Sequence, residues 1–341
     1  MAISRKPLVS VIVLNWNGKK FLEHCISSLL RQSYSNYEIV FVDNGSTDGS
    51  VEFVKDKFGK SCRLKILSLN ENYGFAEGNN IGCKHAKGKY VIILNNDTEA
   101  QPNFIEELVK VAQTDEKVGS VGCRISQYDG KTGYTPIFTN KGFIVPFFLG
   151  ASTAEGRLDN VCGISSSNLA NCGCAVLYRK DLFDLLGGFD KDFWADWEDH
   201  DLGFRINIAG FKSLFTPRTT VLHMGGGSAG FSKERRTRLY KNMLFTYIKN
   251  FELKTLVSHF LFFMFFLLPI GHFAWIFFNE WRLSRKMPFS YDRKAYSSLL
   301  EAYIQFLRKL RVFVKKRKRI QKLRKFSDTQ IFNLTKMPCL I

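Results

Sequence analysis

The chain has 341 residues, 45% hydrophobic and 23% charged. That is long and apolar enough to bury a sizeable core, which excludes a disordered chain. Its net charge of +18 is uneven: residues 282–325 hold 16 Lys and Arg against 2 acids, a local +14 that leaves only +4 elsewhere. The basicity belongs to a tail, so what the tail binds is a separate question from what the rest of the chain does.

The eight cysteines form neither a disulfide nor a zinc framework. Cys25, Cys62, Cys83 and Cys123 stand singly, and Cys172 and Cys174 form C-x-C rather than C-x-x-C. They read as small buried hydrophobes. The first 14 residues lack the long apolar core and cleavage site of a signal peptide, so a reducing, cytoplasmic setting is expected.

Residues 8–14 (LVSVIVL) are a continuous apolar run, as in a strand buried on both faces. Asn15, Trp16, Asn17 and Gly18 break it. Phe21, Leu22, Cys25, Ile26, Leu29 and Leu30 then recur at helical spacing. Residues 38–42 read as a second strand that exits into Asp43, Asn44 and Gly45, with a helix after it. Residues 64–69 read as a third strand exiting into Asn70, Glu71, Asn72 and Gly74. A helix over residues 75–86 and a strand over residues 90–94 follow. Alternating strand and helix implies a parallel sheet covered by helices. All four polar exits then share one edge, where open α/β sheets bind ligands.

The fourth exit is Asn95, Asn96, Asp97 and Thr98. It reads either as a turn, which Asn and Asp favour anyway, or as a carboxylate for a divalent metal. Three sister exits favour the second reading. Asp43 is placed to accept from a ribose or base edge, or to cap the next helix. The first exit lacks G-x-G-x-x-G, and no G-x-x-x-x-G-K-[ST] occurs, which argues against dinucleotide and P-loop sites.

Residues 126–170 are rich in Gly, Ser, Thr and Asn with aromatic insertions, and read as loops, short strands and a lid. A strand over residues 175–178 and a helix over residues 181–186 follow. Residues 189–202 (FDKDFWADWEDHDL) then pack six carboxylates among aromatics, including Trp194 and Trp197. Capping accounts for one or two of these acids. An acid against aromatic walls suits a general base whose pKa is lifted by desolvation. Residues 220–222 read as a short strand leading to His223, which serves either the structure or a metal or diphosphate.

These segments together resemble the family-2 inverting glycosyltransferases of the GT-A fold, most closely the rhamnosyltransferase-type members that build bacterial and archaeal cell-surface polysaccharide. The resemblance rests on VSVIVLNWNGKKFLEHCISSL, IVFVDNGSTDGS, NENYGFAEGNN, YVIILNNDT, GGFDKDFWADWEDHDLGFRINIAGF and VLHMGGGS, which run in the family's order over roughly residues 8–230. It implies an α/β fold with a mostly parallel central sheet flanked by helices. Asn15, Asn17 and Asp43 would line the nucleotide pocket. Asn72, Gly74 and Asn80 would close over it, and Asn96 would border it. Asp97 would be the closing acid of the D-x-D metal motif, with His223 near the metal and diphosphate; Mg²⁺ or Mn²⁺ is the implied cofactor. Glu198 and Asp199 match an E-D pair whose second acid is the base, and Trp194 and Trp197 would border the acceptor. The donor would be a nucleotide-diphospho-sugar, of which dTDP-rhamnose is one. Asn95 replaces the first acid of D-x-D, which leaves metal dependence open. The Q-x-x-R-W signature of processive synthases is absent, so one sugar per encounter is expected. Two other classes remain: a nucleotidyltransferase, and a non-catalytic sugar-nucleotide-binding adaptor.

Residues 1–250 would form the catalytic domain, divided into 1–125 (nucleotide) and 126–250 (acceptor). Residues 251–341 would be a membrane-associating helical extension with a basic tail. Residues 256–278 are apolar enough to span or re-enter a bilayer, to lie at its surface, or to form a core helix. Residues 308–325 hold 11 Lys and Arg and no acid. Beside an apolar segment, that charge favours an anionic membrane surface at the cytoplasmic face over nucleic acid. A lipid-linked glycan acceptor fits that location.

Overall fold

The computed structural model describes residues 6–127, 133–135, 137–138, 154–155, 169–224, 232–258 and 293–334. The β-branched runs form strands β1 (Val9–Asn15), β2 (Tyr37–Asp43), β3 (Leu64–Ser68) and β4 (Tyr90–Asn95). Helices α1 (Lys19–Leu30), α2 (Ser50–Phe58) and α3 (Gly74–Lys84) connect them. The four strands are parallel in the order β3-β2-β1-β4. β1, β2 and β4 bury nearly every residue because both sheet faces are covered, which is why their sequences are continuous apolar runs rather than alternating ones. β3 lies at the edge and is only half-buried.

Beyond β4 the expected, mostly parallel sheet also takes in antiparallel pairings. β5 (Thr98–Ala100), helix α4 (Phe104–Ala112) and β6 (Val118–Gln127) follow in the chain. Further on come β7 (Ala175–Arg179), α5 (Lys180–Leu186), α6 (Glu198–Ile208) and β8 (Lys212–His223). The sheet continues β4-β7-β6-β8-β5. β7 runs antiparallel to both β4 and β6, β8 parallel to β6, and β5 antiparallel to β8.

One core runs under this sheet, from Val11, Val13, Ile39 and Phe41 through Ile92 and Leu94 to Val121, Leu177 and Val221. Cys25, Cys123 and Cys174 lie within it, and burial pushes the Cys25 thiol up to about 12. The small-hydrophobe reading holds for these three, whereas Cys62 is exposed.

The chain divides at residues 228/229, and residues 229–328 form a second compact unit. Helix α7 (Lys233–Asn250) belongs to it because its partner is a later helix, α9 (Arg293–Lys322). Phe245 stacks on Phe313 at 3.4 Å and meets Phe306 at 5.3 Å. Arg317 donates to the carbonyl of Ile248 and Gln321 to that of Asn250, at 2.8 and 2.9 Å, satisfying acceptors that the end of α7 leaves open. A short helix, α8 (Leu253–Ser258), follows α7. Among the described residues, no helix is long and apolar enough to cross a membrane. Nearly all of the apolar stretch 256–278 lies outside the described residues, as does most of 126–170.

Candidate active site

The chain builds β1 to β3 on one side and then returns past β1 to place β4 on the other. The C-terminal ends of β1 and β4 therefore flank the point where strand order reverses, the usual position of a crevice in such sheets. Asn15 closes β1 there and is fully buried. Its Nδ2 donates to Asp43 Oδ1 at 3.0 Å and to Ser46 Oγ at 3.1 Å, and its Oδ1 accepts from Asn96 Nδ2 at 2.7 Å. Asp43 Oδ2 accepts from the Ser46 backbone N–H at 2.9 Å. Asn15, Asp43 and Asn96 thus form one hydrogen-bonded net across three strand ends. Asn15 acts as its hub rather than as a surface contact, because both ends of its amide are engaged. Exposed Asn17 accepts from the Thr47 N–H at 2.8 Å, tying the first exit to the second.

The third exit closes over this net. Asn72 Oδ1 accepts from Asn44 Nδ2 at 2.9 Å and from the Gly74 N–H at 2.8 Å. Gly74 has φ +76°, and a Cβ there would come within 2.6 Å of the Trp194 ring, so only glycine fits. The Ala76 N–H donates to the Trp194 carbonyl at 2.9 Å. Asn72 and Gly74 are therefore set against the aromatic stretch of the acid-rich segment. Asn80 differs from expectation. Its amide donates to and accepts from the Phe189 backbone, both at 2.9 Å, so it joins α3 to the segment before the acids instead of facing a nucleotide.

The fourth exit presents Asp97, nearly buried, with Oδ2 3.2 Å from His223 Nε2. Their meeting follows from sheet register: β8 pairs antiparallel with β5, setting His223 opposite Thr98. The Met224 N–H donates to the Asp97 carbonyl at 2.8 Å, which fixes the corner. One carboxylate and one imidazole are a donor set that suits a first-row divalent ion. The described residues hold no group of three or more metal donors, so any ion here would take further oxygens from ligand or water, as Mg²⁺ commonly does.

The acids of the segment divide by role. Asp190 accepts from the Asp192 N–H as a cap. Asp201, with no exposed surface, pairs with Arg205 at 2.8 Å, and that guanidinium also donates to the carbonyls of Leu186 and Gly188. Asp201→Asn is expected to cost about 3–5 kcal/mol, because it strands a buried cation. Chemical denaturation would show this as a lower midpoint with an unchanged slope, and an unchanged midpoint would refute it.

Asp199 is buried as well. Its Oδ2 accepts from the Gly173 N–H at 2.8 Å, and its Oδ1 accepts from the His200 N–H and faces His200 Nδ1, both at 2.8 Å. Burial alone would raise its pKa. The His200 charge and hydrogen bond and the two backbone N–H groups outweigh burial and hold it below its ordinary value. That reverses the expected upward shift: aromatic walls are present, but backbone donors stabilise the anion. Glu198 is buried beside it. Trp197 is also buried and stacks flat on His200 at 4.0 Å, so it packs behind Asp199 and its partner instead of lining an open surface. Trp194 is 44% exposed and can line one. Asn17, Trp194, Asp196 and Trp197 have positive φ without being glycine, three of them in the turn before α6. Such strain clusters at functional sites.

A short strip joins Asp199 to the end of β4. The Asn95 N–H donates to the Cys174 carbonyl at 2.9 Å, and the neighbouring Gly173 N–H holds Asp199. The Cys172-Gly173-Cys174 strip thus spans the end of β4 and Asp199. Sequence reasoning missed Gly173, Ser46 and His200 as site residues. Small residues just before β7 were the available signal for Gly173; nothing in the sequence marked the other two.

A switch-point crevice bordered by a carboxylate–imidazole pair and a buried carboxylate defines a GT-A type α/β fold, and solved structures agree. A mannosyltransferase from Pyrobaculum calidifontis, solved with GDP-Man and Mn²⁺, superposes with a TM-score of 0.57 at 18% identity, over 89% of this chain and 88% of that one. S. aureus TarS 1–349, solved with UDP-GlcNAc, gives 0.56 at 16% identity over 92% and 90%. The Glycosyl transferase family 2 model matches residues 10–187, and the chain belongs to that family. The O-antigen biosynthesis protein RfbC of Myxococcus xanthus is 30% identical over 224 residues, which cover 64% of this chain and 17% of RfbC. The chain spans less than half the length of each of the first curated relatives it matches.

Proposed function

We propose that this chain transfers a sugar from a nucleotide-diphospho-sugar to a hydroxyl group, with inversion at the anomeric carbon and Asp199 as the base. The observation that carries this reading is the state of Asp199: buried, held below its ordinary pKa, and aimed by Gly173 and His200. An ionised carboxylate in a fixed orientation can accept a proton at neutral pH. The acceptor hydroxyl gives that proton to Asp199 while its oxygen bonds to the anomeric carbon. The bond from that carbon to the diphosphate oxygen breaks, and the nucleoside diphosphate leaves with the electron pair. The Asn15–Asp43–Asn96 net would shape the nucleotide end of the crevice, with Asn17 and Asn72 at its rim. Trp194 would face the acceptor. Asp97 and His223 would hold Mg²⁺ or Mn²⁺, which neutralises diphosphate charge.

The dTDP-rhamnose donor rests on the motif resemblance. A glycan acceptor is supported by the O-antigen role in the name of the RfbC relative; its lipid linkage, and a position at the cytoplasmic face of the cell membrane through residues 255–325, rest on the apolar and basic tail of the sequence alone. The test is release of nucleoside diphosphate from dTDP-, UDP- and GDP-sugars by the full chain with Mn²⁺ or Mg²⁺. Turnover of at least one donor is expected. No turnover and no saturable nucleotide binding would overturn the reading.

A further inference from the structure

The long helix α9 carries two opposed stripes. Leu299, Ala302, Phe306, Phe313 and Ile320 are buried, and Phe306 and Phe313 meet Phe245 of α7. On the other side Leu300, Ile304 and Leu307 are 45%, 44% and 63% exposed. Spaced i, i+4 and i+7, they fall within a strip about 60° wide at 100° per residue. Val314 prolongs the strip, and Arg311, Lys318 and Lys322 continue it toward the C-terminus. Arg308, Lys315 and Arg319 flank it, all exposed. The one acid of the helix, Glu301, pairs with Lys233.

The basic run is therefore not one feature. Arg317 and Arg324 are spent on carbonyls at the end of α7 and on Asp328, so they build the unit. Arg308, Arg311, Lys315 and Lys318, by contrast, are exposed on the outward side of the helix. An exposed apolar strip edged by cations is the pattern of a helix that lies in a membrane interface, with leucine entering the acyl boundary and Lys or Arg at the headgroups. Nucleic acid would use the charges but has no need of Leu300, Ile304 and Leu307. A second copy would set this basic surface against itself, which like charge opposes.

We propose that the Leu300–Ile304–Leu307 strip and its flanking cations dock α9 on an anionic lipid surface. This rests on the membrane reading of residues 255–325 given above, and adds which surface makes the contact.

The test is co-sedimentation of the full chain with phosphatidylcholine vesicles, alone or with about 30% phosphatidylglycerol as the anionic lipid. Wild type is expected to bind the anionic vesicles, less so as salt rises. The triple variant Leu300→Gln, Ile304→Gln, Leu307→Gln is expected to partition about tenfold less, as is Lys315→Gln, Lys318→Gln, Lys322→Gln. Melting temperature checks the fold. If the apolar triple variant melts early, Leu307→Gln alone replaces it, since that side chain is the most exposed of the three. Wild-type binding matched by the apolar variant would overturn this proposal while leaving the membrane reading standing. Binding of wild type to neither vesicle would overturn both, and capture of single-stranded RNA in place of vesicles would assign the charges to nucleic acid.

Discussion

Asp199→Asn is expected to lower kcat for sugar transfer about 1,000-fold, within the range that a positioned base contributes. The KM for the donor should change little, because Asp199 is held by Gly173 and His200 and does not belong to the net formed by Asn15, Asp43 and Asn96. Asparagine keeps one oxygen to accept from Gly173 but cannot take a proton. The pH profile adds an independent readout. A carboxylate held below its ordinary pKa stays ionised through the neutral range, so the acid limb should lie below the ordinary carboxylate range. The stability it contributes has the same sign: present above the unfolded carboxylate value and lost as pH falls through the folded one. An acid limb near pH 6.5 that survives in Asp199→Asn would move the titrating group to a histidine. Full kcat in Asp199→Asn would move the base to another group, and saturable nucleotide binding without turnover in the wild-type chain would leave it as a binding adaptor.

Asp97→Asn is expected to weaken Mn²⁺ binding about 100-fold when measured with nucleoside diphosphate present, by the free-Mn²⁺ paramagnetic signal rather than by turnover. The physical reason is that the corner offers one carboxylate and one imidazole, and the amide removes the charge that favours a cation. Asn95 cannot compensate, since it brings no carboxylate. His223→Ala should weaken binding in the same direction and by less, because a neutral donor is lost. The competing account is a plain Asp97–His223 ion pair joining β5 and β8. On that account Asp97→Asn lowers the melting temperature and leaves Mn²⁺ binding unchanged.

Several positions were legible from residue types alone. The apolar runs of β1, β2 and β4 and the polar residues after them located the crevice edge before any coordinates, since a strand buried on both faces must be apolar throughout and must end where it meets solvent. Asp97 stood out through its setting at a strand end, whereas the E-D pair was singled out from its acid cluster only by the family resemblance. Asn80 misled: an amide in a segment that closes over a nucleotide has the same composition as an amide that ties two backbones together. Trp197 and Trp194 read alike, yet one is buried on His200 and the other exposed. The upward shift expected for Asp199 failed because backbone N–H groups leave no trace in side-chain identity.

The sequence by itself determined the periodic elements, the family and the sheet edge that collects the exits, because these depend on local patterns of apolar and polar residues. Only the tertiary structure decided which partners meet. His223 reaches Asp97 across 126 residues of chain by strand register, and Gly173 reaches Asp199 across 26. It also decided which basic residues build the second unit and which face outward, since Arg317 and Arg308 differ only in what the helix packs against. Pairing at long range is set by register and packing, and no single stretch of sequence encodes either.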